Sequence, residues 1–173
     1  MKLRHFIILC MLGWNYSAYA EEKSLPIDDP DALLAVINHN PDVIRTQLIG
    51  WNFEFDLAGG SYQTVLSHIK RGNEKWLKVA DALSCCVDAA SGEELRMAEA
   101  IAFTHTPETV LHHWPSYSLN TFCSVPLMEP TKVEFDNYVT SVKSAIKRIK
   151  DLALQEKKAE CSKIIDTVHW SEP

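Results

Sequence analysis

The chain has 173 residues, a formal net charge of −6 at pH 7 and five cysteines. That length supplies one domain with a real core. An acidic surface repels phosphate backbones, so no nucleic-acid partner is expected.

The first twenty residues, MKLRHFIILCMLGWNYSAYA, begin with Lys2 and Arg4, run apolar from Phe6 to Leu12 and end with Ala18 and Ala20 flanking Tyr19. This is the pattern of a secretory signal with an A-x-A site, so residues 1–20 are expected to be cleaved after Ala20 and the product to be periplasmic. The apolar run is far shorter than the roughly 20 residues that span a bilayer, and no later stretch approaches that length, so no membrane insertion is expected. Cys10 follows Leu9, where lipid attachment calls for a small residue. Cleavage takes the formal charge from −6 to −8; residues 21–130 then hold 16 acids against 7 Lys or Arg, and residues 131–173 hold 7 against 8.

Residues 21–29, EEKSLPIDD, read as a flexible leader. A single helical domain is expected over 30–168, followed by a disordered tail at 169–173. DPDALLAVINHN has an Asp cap and Pro at the first helical position and ends at Asn40-Pro41. A second short helix starts on Pro41 and stops at Gly50. From Ser61 the helical period places Tyr62, Val65, Leu66 and Ile69 on one face and closes with Arg71-Gly72. Asn73 caps the next helix, which turns Trp76, Leu77, Val79, Ala80 and Leu83 inward. Ser91 and Glu94 fit a capping box for a helix burying Leu95, Ala98, Ile101 and Ala102. Thr106 and Pro107 begin another. The prolines of SVPLMEP force a turn into the expected longest helix, from Thr131, with Phe135, Tyr138, Val139, Val142, Ala145, Ile146, Ile149 and Leu152 inward. A final segment around 160–168 brings Cys161 back to the body. The expected fold class is all-α: short antiparallel helix hairpins, loosely HEAT-like, closed by one long C-terminal helix. Within it, the stretch around Cys85, Cys86 and Asp88 should be the turn of a hairpin.

Cys85, Cys86, Cys123 and Cys161 survive cleavage, and four cysteines allow three pairings. Adjacent cysteines seldom bond, since the bridge strains the peptide between them. Cys123 with Cys161 is the expected disulfide; the vicinal pair Cys85 and Cys86 then forms a strained bridge, stays free or pairs between chains. No C-x-x-C spacing supports zinc or thioredoxin-like chemistry.

Three residues, His105, Glu108 and His112, are the weak candidates for a metal site, because Glu108 and His112 share a helix face at i, i+4. The H-E-x-x-H pattern of zinc proteases is absent, and neither a metal nor another cofactor is expected. A thiol nucleophile at Cys85 or Cys86 would need a depressed pKa, yet both precede the Ser91 cap. No catalytic residue is assigned. Trp51, Trp114 and Tyr117, in stretches read as loops, are the expected partner-binding aromatics.

The stretch from Gly72 through Trp76, Leu77, Asp88, Ala89, Leu95 and Ala98, followed by Pro107, Val110, Leu111, Cys123, Pro126, Glu129 and Pro130, resembles a group of small exported proteobacterial helical proteins of unassigned function. The resemblance covers roughly the middle third of the chain and implies export and a helical fold. Cys85-Cys86 departs from it, standing where that group would have a Gly-type turn. A weaker similarity, of size, compartment and helicity, is to periplasmic immunity proteins. The expected function is a non-catalytic periplasmic protein-binding module, an immunity protein being its sharpest version. The alternatives are a metal-dependent or thiol hydrolase of the cell envelope and a structural envelope protein.

Overall fold

The computed structural model describes residues 24–49, 60–114 and 118–171. The expected signal segment, Trp51 and Tyr117 lie outside the described residues. The elements are all helical: α1 (Pro30–His39), α2 (Pro41–Val43) running into a π-helical turn (Ile44–Leu48), α3 (Ser61–Lys70), α4 (Glu74–Leu83), α5 (Ala89–His105), α6 (Pro107–His113), α7 (Leu119–Cys123), α8 (Lys132–Arg148), a 3-10 turn (Leu152–Leu154) and α9 (Gln155–Thr167). No helix among the described residues is long and apolar enough to cross a membrane.

Local chemistry explains most of the boundaries. The Asp29 carboxylate accepts from the amides of Asp31 and Ala32 to start α1, and the Asn73 side chain accepts from Lys75 to start α4. Gly72 ends α3 at φ +71°, its amide donating to the Ile69 carbonyl. A Cβ at Gly72 would lie 1.9 Å from the Thr106 hydroxyl oxygen, and that hydroxyl donates to the Gly72 carbonyl at 2.9 Å. Only glycine lets the α3–α4 turn seat against the α5–α6 turn this closely.

The expected buried faces of α3 and α4 are observed in full: Tyr62, Val65, Leu66 and Ile69, then Trp76, Leu77, Val79, Ala80 and Leu83. Helix α5 differs from its expected form. Asp88, not Ser91, is the cap, its carboxylate accepting from the Ser91 amide at 2.8 Å, while the Tyr62 hydroxyl donates to the Ser91 carbonyl at 2.7 Å. The capping box belongs instead to Thr131 and Glu134 at the start of α8. Helix α5 is also as long as α8, 17 residues each, and it is buried on most sides by α3, α6, α7 and α8.

The helices pair mostly out of chain order. The most extensive interfaces join α3 with α5, α1 with α4 and α7 with α9. Helices α4 and α5 touch little, so the seam between them redirects the chain rather than folding a tight hairpin. Arg45 braces that seam by donating to the Cys85 carbonyl at 3.0 Å.

Helix α8 stops at Arg148, earlier than its apolar period suggests, and Leu152 is 88% exposed while Leu154 is buried. Glu108 causes the stop: its carboxylate accepts from the amides of Lys150 and Asp151, capturing donors the helix would otherwise use. Before α1, Leu25 and Ile27 pack on the core and Asp28 pairs with His68 at 2.9 Å, so the expected leader is anchored from there. At the other end Trp170 meets the Phe135 ring edge-on at 5.6 Å instead of fraying.

Candidate functional site

The three candidate metal ligands serve as structural ties. Glu108 is held below the usual carboxylate range by its two backbone donors at residues 150 and 151. His112 Nε2 meets Asp151 Oδ2 at 2.7 Å, and His105 is exposed at the end of α5, where its carbonyl accepts from Arg148. Among the described residues, no group of three or more His, Cys, Asp or Glu side chains is placed to hold a metal.

The cysteines divide as expected. Cys123 and Cys161 form a disulfide between α7 and α9, with Cα atoms 5.3 Å apart. Cys85 and Cys86 are free, the first exposed and the second buried. Burial, and then the hydrogen bond its thiol makes to the Cys85 sulfur, pushes the Cys86 thiol up to about 11. A thiol so raised is protonated at neutral pH and is a poor nucleophile.

Trp114 requires a correction. It does end a helix, as Pro115 suggested, but its indole turns inward: the residue is 6% exposed, stacks on Phe122 at 5.7 Å and donates Nε1–H to Asp81 Oδ1. Its apolar area is committed to the core and is not displayed to a partner.

Following Trp114 inward leads to the most unusual constellation in the described residues, at the junction of α4, α5 and α6. Asp81 of α4 takes two donors from the end of α6, Trp114 Nε1 and the His113 ring, whose Nε2 lies 2.8 Å from Asp81 Oδ2. Asp81 is half-exposed, whereas the His113 side chain is only 11% exposed. From α5 comes Glu99, 3% exposed, with its Oε2 lacking any hydrogen-bond partner among the described residues. Burial first, and the Asp81 carboxylate second, push the Glu99 carboxyl up to about 7, with Arg96 opposing. Near neutral pH such a group can hold or release a proton. Its Oε2 has essentially no accessible surface, so in this arrangement a substrate does not touch it.

Sequence reasoning passed over Glu99, Asp81 and His113 as a group. The signal was present in Glu99: it stands four residues after Leu95 and three before Ala102, an ionisable residue in the register of the buried stripe.

A pH dependence follows. The folded-state pKa of Glu99 is raised, so the unfolded chain gives up this proton first. The stability that Glu99 contributes is therefore full below about pH 4.5, falls as pH rises through the interval from about 4.5 to about 7, and is lost above it. Glu99→Gln removes the ionisation and should raise stability at about pH 8 by about 3 kcal/mol while leaving it nearly unchanged at about pH 4. Urea unfolding of both chains at the two pH values measures this, and equal effects at both would contradict it.

Neither a protein family, a curated protein nor a solved structure matches the chain.

Proposed function

We propose that the chain is a non-catalytic binding protein of the exported compartment that docks a basic protein through the loop at residues 124–131. The carrying observation is the build of that loop. The Cys123–Cys161 disulfide fixes its start and the Thr131–Glu134 capping box fixes its end. Between them Glu129 adopts φ +42°, a left-handed conformation that a non-glycine residue holds only when its surroundings impose it.

On and beside the loop stand Met128, 68% exposed, and Val133, 67% exposed, two of the largest exposed apolar side chains among the described residues. Apolar side chains on a clamped backbone lose little conformational entropy when a partner covers them. Charge favours a basic partner: along the chain Glu129, Glu134 and Asp136 stand near the apolar pair, Asp136 paired with Lys132 at 2.7 Å and Glu134 engaged by Thr131, and residues 21–130 hold 16 acids against 7 Lys or Arg. Such an imbalance speeds encounter with a cationic surface. An immunity protein that covers a cationic effector is the sharpest form of this reading.

Photo-crosslinking from position 128 in cells, identification of the captured protein, and titration of the two purified chains test the reading. The expected partner has net positive charge, and Met128→Glu with Val133→Glu weakens binding by roughly a hundredfold. Capture of nothing, a net acidic partner, or an affinity untouched by both substitutions would reject it.

A further inference from the structure

The junction of α4, α5 and α6 is built so that a single proton decides how well it holds. Helix α6 is short, and its end is tied to α4 through one carboxylate, since both His113 Nε2 and Trp114 Nε1 reach Asp81. Glu99 of α5 is nearly inaccessible, its Oε2 finds no donor among the described residues, and it feels the charge of the Asp81 carboxylate. The charged or titratable groups around Glu99 are Asp81 from α4 with its partner His113 from α6, Tyr62 from α3, and Arg96 one turn earlier on α5; Asp88 and Glu94 lie near Tyr62. Of these Arg96 is the one fixed cation, and it is half-exposed and already paired with Glu93. Its opposing effect on Glu99 is smaller than those of burial and of Asp81.

We infer that this junction is a pH-gated latch, closed while Glu99 carries a proton and loosened when the proton leaves for solvent. Once ionised, Glu99 sets a second negative charge in low-dielectric surroundings next to Asp81, and like charges there repel strongly. Asp81 has solvent on one side and can yield outward; Glu99, in the middle of α5, cannot. Movement of Asp81 stretches both of the hydrogen bonds that hold the end of α6. The junction therefore closes toward acid and opens toward base, with α6 as the element released. This inference is independent of the docking loop, and either can fail alone.

The indole N–H of Trp114 reports the latch directly. In the full chain, its protection from hydrogen exchange, corrected for the intrinsic base-catalysed rate, should fall by about tenfold between about pH 5.5 and about pH 8. The carboxyl carbon resonance of Glu99 should titrate with the same midpoint. In Glu99→Gln the protection should stay at its acid value throughout. A flat profile in the unsubstituted chain would overturn the latch, as would a Glu99→Gln profile matching the unsubstituted one. The carboxyl titration needs no variant, and a Glu99 midpoint below about 5 would overturn the latch by itself.

Discussion

Replacing Cys123 and Cys161 together by alanine should lower stability by about 4 kcal/mol, with a steeper dependence on urea because the uncrosslinked denatured chain exposes more surface. The bridge closes 38 residues, which in the chain-entropy account restricts the unfolded ensemble by that amount. The local structure makes the folded state equally dependent on it. Helix α7 has five residues, too few to hold a helix alone, and α9 buries only Cys161 and Ile165. The disulfide ties α9 to α7 covalently across one of the most extensive interfaces of the fold, so its loss loosens both elements together. The measurement is a pair of urea titrations, with the reduced native chain as a third arm expected to follow the double variant. A loss below about 1 kcal/mol would mean that Leu119 and Phe122 seat α7 without the bridge.

Trp76→Ala should cost about 3 to 5 kcal/mol. The residue is 7% exposed on the buried face of α4, and its ring lies 4.5 Å from that of His68 in a stacked arrangement. Deleting the indole leaves a cavity where short helices have little freedom to collapse. It also unseats His68, whose other contact is Asp28 in the segment before α1. Trp76→Phe keeps much of the stack and should lose less than half as much. Thermal and urea unfolding of the two variants check this, and a loss under about 1 kcal/mol for the alanine would mean that the indole carries no core packing.

Elements with one buried face were legible in the sequence, and elements with several were not. Helices α3 and α4 each present a single apolar stripe, so spacing alone placed Tyr62 to Ile69 and Trp76 to Leu83 correctly. Helix α5 meets neighbours on most sides, and its start was placed at Ser91, three residues after the Asp88 cap it uses. The choice of Asp88 over Ser91 is tertiary, since Ser91 is engaged through its carbonyl by Tyr62 of α3. The end of α8 was hidden for the same reason: Glu108, more than forty residues upstream, captures the amides that would have continued it. The Cys123–Cys161 disulfide was expected but not forced by the sequence, because adjacency disfavours only a Cys85–Cys86 bond and leaves the cross-pairings open; the packing of α7 on α9 decides it. Trp114 was misplaced because a proline marks where a helix ends and says nothing about which way the preceding ring turns; Asp81, 33 residues earlier, decides that.

The position of α5 carries a consequence for how the chain can be divided. Helices from both sides of it along the sequence, α3 before and α6, α7 and α8 after, lean on the same rod. A break near the middle would leave one piece without its axle and the other with bare apolar flanks, so neither fragment should stand alone. Duplication, swapping or trimming of halves is closed to this architecture, and it should unfold as one indivisible piece.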